Sequence, residues 1–453
     1  MAKHFAWMTA ALLALALLAL SPAPAAAQAG PAAAPTSTIE THPLPPAPTA
    51  TPSFDPEKAT NAYLARVSGE ARAKSDSYFE GGYWLILWDA LYAIAVSAIL
   101  LFPRLSARMR NIAQGITRSR FLQVSLYIMM YVAITTVLTL PMTIYEGFLR
   151  EHQYGLSNQN FMEWLGDFGI DFALNIVVFT LIGTVVYAAI RASKRYWWVW
   201  GTAITIAFLI VGVAVAPVFV SPLFNHYQPL REGTLKHNIL SLARSEGIPV
   251  DNVYEFDASK QSKRMSANVS GMFGTTRISM NDNLLNRGSD REVLAVLGHE
   301  MGHYVLNHVT TGIMMNGLVF LAGFAFVAWG FGVLTGIFGG VWDVRAVDDP
   351  AGLPVLMALA TFFFLIATPV SNTITRSLEA QADIFGVNAA RQPDGFAEAA
   401  LHLSEYRKLD PSPMEEFVFF DHPSGRNRIH MMMVWKAQHL NDADIKAGPV
   451  SPQ

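Results

Sequence analysis

The sequence predicts an all-α protein that crosses a membrane several times, and its composition leads to that prediction. Of the 453 residues, 52% are hydrophobic and only 15% are charged, whereas soluble domains carry about 25% charged residues. Several stretches almost without charge reach the length of about 20 residues that a bilayer core requires. Lys and Arg number 32 against 35 Asp and Glu, a net charge of −3, so nucleic acid is not an expected partner. The absence of cysteine excludes disulfides, thiolate metal sites and cysteine nucleophiles.

The first 57 residues are typical of a targeting segment followed by a linker. Residues 1–27 begin with a short polar start, continue as an uncharged run rich in Ala and Leu, and end in small residues that suit cleavage after Ala27. A retained short membrane helix is the alternative. Residues 28–57 contain eight prolines, and this Ala/Pro-rich composition predicts an extended linker that builds no core.

Six segments are long and apolar enough to cross a bilayer. They share a near absence of charge, and they are residues 83–102, 121–144, 172–190, 197–219, 309–334 and 353–373. Trp and Tyr residues stand near several of the segment ends, where aromatic belts form. One such segment alone could be a buried helix of a soluble protein, but six in one chain favour a membrane protein.

The charges between these segments predict the orientation. Residues 103–120 carry five Arg and residues 191–195 carry three basic residues, both without an acid, whereas residues 145–171 are mainly acidic. By the positive-inside rule, the two basic loops face the cytoplasm. The long segment after the fourth span then lies outside the cytoplasm, and the signal-like start agrees with that. The sequence therefore predicts a multi-pass protein of the cell (inner) membrane.

A His-Glu-Met-Gly-His pentad that begins at His299 carries the first chemical signal. The surrounding sequence favours a helix that continues past the pentad. Positions i and i+4 share one helix face, so His299 and His303 can bind one metal ion while Glu300 takes a proton from its bound water. The alternative is a polar helix face at the membrane surface. His308 lies about 140° further round the same helix and is expected to be a poor ligand.

Four polar residues that begin inside the sixth apolar segment carry the second signal. Asn372, Arg376, Glu379 and Asp383 form one stripe of a single helix, and ionisable residues at a span edge are costly unless they pair or bind something. Two His and one carboxylate with an open fourth position make a catalytic zinc site. Glu379 is therefore the predicted third ligand, flanked by Arg376 and Asp383. A self-contained Arg376–Glu379 ion pair is the alternative, which the histidine pair disfavours.

A short hairpin is predicted just before the pentad helix, at residues 266–271 and 276–280. Its exposed edge, around Ala267, Asn268 and Val269, would hold an extended peptide by strand addition. An ordinary structural hairpin is the alternative.

In combination, these residues resemble the integral-membrane zinc metallopeptidases of the type-1 CAAX prenyl protease family. The signature of that family is His-Glu-x-x-His, a pair of spans, and Asn-x-x-x-Arg-x-x-Glu-x-x-x-Asp, which stand here at residues 299–303 and 372–383. The hairpin is similar to the one in the family, and His422-Pro423 resembles its late His-Pro element. Further matching motifs lie upstream, at residues 138–141, 155–159, 216–217 and 222–225. The resemblance covers about residues 58–440.

The resemblance implies one zinc ion per chain, held by His299, His303 and Glu379, with Glu300 as the base that activates water. It implies that Asp383 is a further catalytic residue that handles protons. Other implied residues contact the peptide or the tetrahedral intermediate, namely His422, Arg426 and Arg428. Two more would support the ligands from behind, namely Asn372 and Arg376.

The family fold implies seven spans around a water-filled chamber, or six if residues 1–27 are removed. The expected domains are a signal-like segment at 1–27, a linker at 28–57, an amino-terminal membrane domain at 58–224, a mainly helical zinc metallopeptidase domain with a small β-sheet at 225–440, and a tail at 441–453. The last two predicted spans, 309–334 and 353–373, belong to the metallopeptidase domain.

The implied activity is that of a zinc-dependent membrane endopeptidase that removes the last three residues of prenylated CAAX proteins. The expected partners are peptide or protein substrates, prenylated or membrane-associated, and the lipid bilayer. The eukaryotic relatives face the cytosol, so a cytoplasmic site is the alternative orientation. A site outside the cytoplasm is a poor place to meet prenylated proteins, which makes membrane protein quality control the alternative function. A non-enzymatic metal-binding transporter or scaffold is disfavoured by Glu300 and the open zinc position.

Overall fold

The computed structural model describes residues 54–270 and 276–445. The predicted signal-like segment, most of the predicted linker and residues 446–453 of the predicted tail lie outside the described residues. The linker was expected to reach residue 57, but the first helix already begins at Pro56. Asp55 causes this early start because its side chain accepts hydrogen bonds from the backbone N–H groups of Glu57 and Lys58, which would otherwise have no partner.

Helices dominate the described part of the chain. In chain order they are α1 (Pro56–Leu64), α2 (Gly69–Leu101), α3 (Leu105–Ile116), α4 (Arg120–Ile144), α5 (Phe161–Ala192), α6 (Trp197–Val215), α7 (Thr234–Ser245), α8 (Asp282–Arg287), α9 (Asp290–Val305), α10 (His308–Trp342), α11 (Leu353–Ala390), α12 (Pro393–Leu403), α13 (Pro413–Phe419) and α14 (Gly425–Gln438). A π-helical turn and a short helix prolong α4 to Gln153 and α6 to Phe224.

Six of these helices are long and apolar enough to span a membrane, which confirms the predicted number. They are α2, α4, α5, α6, α10 and α11, of which α4, α6 and α11 are counted with short extensions. Each predicted apolar segment is contained almost entirely in one of them, and each helix extends beyond its apolar segment, in α2 and α11 into clearly polar sequence. The helices are therefore longer than the bilayer requires, and the overhang of α11 carries part of the candidate site.

The loops that join the spans at one end of the bundle are tied together by ion pairs. The buried guanidinium of Arg110 on α3 lies 2.7 Å from carboxylate oxygens of both Asp343 and Asp349, in the loop between α10 and α11. Lys194, between α5 and α6, lies 3.0 Å from Asp348 of the same loop. The two basic loops and the loop after α10 therefore share one end of the bundle, and the polar end of α11 lies at the other.

Four short strands form a small mixed sheet, β1 (Tyr227–Pro229), β2 (Val253–Phe256), β3 (Ala267–Ser270) and β4 (Arg277–Asn281), in the order β1-β2-β4-β3. The predicted hairpin is confirmed, because β3 and β4 pair antiparallel. The sequence did not reveal that β4 also pairs parallel with β2. Strand β3 lies at the edge of the sheet and packs against α9, so the sheet places a free strand edge beside the pentad helix.

Candidate active site

Helix α9 starts with a closed hydrogen-bond arrangement that holds its first turn. The Glu292 carboxylate accepts hydrogen bonds from both the N–H and the hydroxyl of Ser289 at 2.7 Å, which satisfies donors that a helix start leaves free. On the other side of Glu292, the imidazole Nδ1 of His402 on α12 lies 2.9 Å away. Helix α9 therefore has a defined start, and the two pentad histidines follow on its third and fourth turns.

The three predicted ligands converge. The Nε2 atoms of His299 and His303 lie 3.1 Å apart. The Glu379 carboxylate on α11 approaches them with Oε2 at 3.1 Å from His299 Nε2 and Oε1 at 3.5 Å from His303 Nε2. Tetrahedral zinc with bonds of about 2.0–2.2 Å requires ligand atoms about 3.3–3.6 Å apart. The donor set and its spacing therefore fit a zinc ion, with only a small outward shift of the ligands.

Glycines allow the two ligand-bearing helices to approach this closely. A Cβ atom placed on Gly386 of α11 would lie 2.7 Å from the backbone nitrogen of His299, and one on Gly298 of α9 would lie 2.9 Å from the carbonyl oxygen of Gly386. Real Cβ contacts are essentially never that short. The backbones therefore touch directly at His299, which brings Glu379 within reach of the histidines.

The outer nitrogen of His299 is held by a buried ion pair. His299 Nδ1 lies 2.7 Å from Asp383 Oδ1, and the guanidinium of Arg428 on α14 donates two hydrogen bonds to the same carboxylate, at 2.8 and 2.5 Å. Asp383 is fully buried. Burial opposes a charged imidazole, but Asp383 and Glu379 raise the pKa of His299 to about 10. Asp383 therefore lies on the side of the His299 ring opposite Nε2, the nitrogen that faces Glu379.

The outer nitrogen of His303 is held by His308, which is predicted above to be a poor metal ligand. His308 Nδ1 lies 3.0 Å from His303 Nδ1. The expected continuous helix breaks after Val305, because Asn307 takes a left-handed conformation with φ 52°. His308 thus starts α10 instead of continuing α9. The signal for the break was Asn307, a residue type that tolerates this conformation, but nothing in the spacing showed where His308 would point.

His422 reaches the ligand cluster on a separate segment. Its Nε2 lies 3.2 Å from Glu379 Oε2, and its Nδ1 lies 2.8 Å from Asp421 Oδ1. Burial opposes the Asp421 charge, but His422 and the cation of Arg407 lower the pKa of Asp421 to about 2. Asp421 is therefore ionised at every working pH and accepts the Nδ1 proton. No role was predicted for Asp421, although its position next to His422 was a usable signal.

Asn372 and Arg376 hold the segment that leads to His422. The Asn372 amide donates to the Val418 carbonyl at 2.8 Å. The Arg376 guanidinium donates to the carbonyls of Glu416 and Phe420, at 2.9 and 2.6 Å. The described residues contain no Arg376–Glu379 ion pair, so the alternative interpretation of this stripe is wrong.

Glu300 makes no hydrogen bond or ion pair with another described residue, although the histidines of the cluster lie close enough to act on its charge. Burial raises its pKa, which the positive charge of the neighbouring histidines partly offsets. A carboxylate with a raised pKa and no structural partner is suited to accept and return protons.

Two predicted substrate contacts have other partners in the structure. Arg426 forms hydrogen bonds with Glu57 and Asn61 on α1. Arg428 is buried against Asp383 and the ring of Phe396. Both side chains therefore connect helices of the protein itself, and contact with a substrate stays a prediction for them. Ala267, Asn268 and Val269, by contrast, lie on edge strand β3 as expected, and all three are partly exposed.

The fold and this site together define a membrane-embedded metallopeptidase. A family model described as Peptidase family M48 matches residues 229–436, and one described as CAAX prenyl protease N-terminal, five membrane helices, matches residues 56–226. Within residues 56–226 the structure describes four membrane-capable helices.

Known proteins agree with the two family models. An uncharacterized metalloprotease of Bacillus subtilis, YhfN, is 30% identical over 76% of this chain and 82% of its own length. The human CAAX prenyl protease 1 homolog is 25% identical over 78% and 83%. The crystal structure of S. mikatae Ste24p shares the fold with a TM-score of 0.69 at 21% identity, over 83% of this chain and 95% of that one. The chain belongs to the M48 metallopeptidases, in the branch that carries the CAAX prenyl protease membrane domain.

Proposed function

We propose that this metalloprotease is a zinc-dependent endopeptidase that hydrolyses an extended peptide laid along β3. The observation that carries the proposal is the meeting of His299, His303 and Glu379 at zinc-ligand spacing, with Glu300 beside them and free of hydrogen bonds and ion pairs to other described residues. When bound there, zinc would polarise the scissile carbonyl and lower the pKa of water to about 7.

Glu300 accepts the proton of the attacking water and passes it to the leaving amine. Its raised pKa supports both steps, because a base is most effective when its pKa lies near the working pH. Of the two other carboxylates that contact His299 in the described part of the chain, neither is available for this role, since Glu379 faces the two histidine Nε2 atoms and Asp383 is enclosed by His299 and Arg428.

His422 donates a hydrogen bond to the oxyanion as it forms. For this, His422 has to carry a proton on both ring nitrogens: its Nδ1–H donates to Asp421, and its Nε2–H lies on the side of Glu379, where the substrate carbonyl would arrive. A fixed donor at the site of developing charge contributes about 3–4 kcal/mol to catalysis in other proteases. Asp383 is the orienting group of His299 in this proposal, which differs from the proton-handling role implied by the family resemblance.

The free edge of β3 is the proposed peptide site. Its backbone groups on the side away from β4 have no strand partner among the described residues, and β3 packs against α9, the helix that bears the histidines. An added strand would receive main-chain hydrogen bonds, which place a peptide bond near the metal without regard to side-chain identity.

Prenylated, CAAX-type proteins are the first proposed substrate class, since the human and yeast relatives are named CAAX prenyl protease 1. Quality-control cleavage of membrane proteins is the second. The position of the site supports this second substrate class, because the basic loops around Arg110 and Lys194 lie at the opposite end of the helix bundle. The positive-inside rule puts those loops in the cytoplasm and the site outside it.

The proposal is tested with a quenched peptide offered in prenylated and unprenylated form to the detergent-solubilised protein. Wild type is expected to cleave, a chelator to stop cleavage, and Glu300→Gln to retain zinc while losing about 100- to 10,000-fold in turnover. Preference for the prenylated peptide supports the first substrate class, and equal cleavage supports the second. Turnover by Glu300→Gln at the wild-type rate would overturn the mechanism.

A further inference from the structure

His308 lies directly behind one of the two histidine ligands. Its side chain is buried, with a relative exposure of 4%, and its Nδ1 is 3.0 Å from Nδ1 of His303. The two rings are nearly perpendicular, at 75°, so the nitrogen of one points toward the edge of the other. The left-handed turn at Asn307 brings His308 to this place.

The tautomers of His303 and His308 can be inferred from which nitrogen of His303 faces the ligand cluster. His303 directs Nε2 at His299 and Glu379, so a bound cation requires an unprotonated Nε2 there. A neutral imidazole then carries its proton on Nδ1. That N–H points at His308 Nδ1, which must accept it and carry its own proton on Nε2.

We propose that His308 is a positioning residue that fixes the tautomer and the ring orientation of His303 by accepting its Nδ1–H. The proposal rests on the zinc site proposed above. It gives each histidine ligand its own support, since the Asp383 carboxylate faces Nδ1 of His299 in the same way at 2.7 Å. Hydrogen-bond partners of metal-ligating histidines typically contribute 10- to 100-fold to metal affinity.

The two supports differ in charge, and the difference has a measurable consequence. Asp383 is an ionised carboxylate held by Arg428, whereas His308 is a neutral acceptor. Only a neutral residue of matching geometry is therefore needed at position 308. Asparagine offers its side-chain oxygen near the place of an imidazole Nδ1, whereas phenylalanine fills the ring volume without an acceptor.

The test measures zinc affinity and zinc release in the full-length protein, by competition with a chromophoric chelator, for wild type, His308→Phe and His308→Asn. His439→Phe is the matched control, because His439 also contacts an aromatic side chain and bonds through Nδ1, but to the Trp435 carbonyl. His308→Phe is expected to lose about 10- to 100-fold in zinc affinity, His308→Asn to recover most of that loss, and the control to match wild type. Cobalt-loaded His308→Phe is expected to show an altered visible spectrum.

Each outcome separates this inference from the proposed function. Wild-type zinc affinity in His308→Phe would overturn the inference and leave the protease assignment untouched. Equal losses in His308→Phe and His308→Asn would show a packing role and overturn it as well. If His308→Phe does not fold, His308→Ala takes its place in the comparison with His308→Asn. A wild-type protein that binds no zinc would refute the proposed metal site, and the inference with it.

Discussion

Replacing Gly386 by alanine tests whether the contact between α9 and α11 builds the metal site. The added Cβ would lie 2.7 Å from the backbone nitrogen of His299, 2.9 Å from its Cα and 3.0 Å from the carbonyl carbon of Gly298. All three are backbone atoms, so no side chain can rotate away. Ordinary contact begins at 3.4 Å, which requires the helices to separate by 3.4 − 2.7 = 0.7 Å.

That separation is large compared with what a metal site tolerates. Metal–ligand distances vary by about 0.2 Å, and Glu379 on α11 must meet two ligands on α9. Overpacking costs about 1–3 kcal/mol, and the better helix propensity of alanine returns at most about 1 kcal/mol. Gly386→Ala is therefore expected to lower both the free energy of unfolding and the zinc affinity, the latter by about tenfold or more.

The assay combines thermal unfolding in detergent with chelator competition for zinc. Gly336→Ala is the matched control, since Gly336 lies in helix α10 and a Cβ there would meet nothing within 4 Å. The control is expected to unfold at or above the wild-type temperature with unchanged zinc affinity. If Gly386→Ala binds zinc as tightly as the control does, the close approach of the two helices does not set the ligand geometry.

Three further predictions concern the surroundings of the site. Arg376→Lys loses the paired hydrogen bonds to the carbonyls of Glu416 and Phe420, each worth about 1.5–3 kcal/mol with a charged donor. Because these bonds hold the segment that leads to His422, kcat is expected to fall about tenfold while the zinc content stays unchanged. Loss of zinc instead would show that Arg376 acts on the metal ligands. The second prediction concerns the pair of His402 and Glu292. The hydrogen bond to Glu292 raises the pKa of His402, against the opposing effect of burial. Burial tends to raise the pKa of Glu292, but the hydrogen bonds from His402 and Ser289 lower it. Because the His402 pKa is raised in the folded state, it stabilises the fold fully below about pH 6.5, and this stabilisation is lost as pH rises through the pKa of folded His402. Because the Glu292 pKa is lowered, it stabilises the fold above about pH 4.5. The unfolding-temperature gap between wild type and His402→Gln is therefore expected to be widest at pH 5–6 and smaller at pH 9, and a gap independent of pH would refute the pair. Finally, the chain has no cysteine, so Arg118→Cys and Asp251→Cys report the orientation directly: an impermeant maleimide added to intact cells is expected to label only the second, and labelling of only the first would reverse the orientation.

The sequence predicted the parts of the fold and site that depend on local periodicity. Uncharged segments predicted the six membrane-capable helices, and the i, i+4 spacing of His299 and His303 predicted two candidate metal ligands on one helix face. Glu379 followed from a stripe of polar residues where a span should end. Each of these signals lies within one helix and needs no knowledge of how helices meet.

Features that depend on how separate elements meet were missed. A continuous helix would turn His308 away from His303, whereas a single left-handed residue, Asn307, redirects the chain there. The parallel pairing of β2 with β4 joins segments more than 20 residues apart, and no turn residue signals it. The pairing of Arg428 with Asp383, 45 positions away along the chain, was not predicted. Gly298 and Gly386 carry no chemistry, and only the interhelical distance shows why glycine is needed.

Metal analysis of the purified protein tests the central claim most directly. The account predicts one zinc ion per chain in wild type, one in Glu300→Gln, and a large loss in Glu379→Ala after dialysis against a chelator, because only the last change removes a ligand. Full zinc retention by Glu379→Ala under the same dialysis would contradict the account and exclude Glu379 from the metal site.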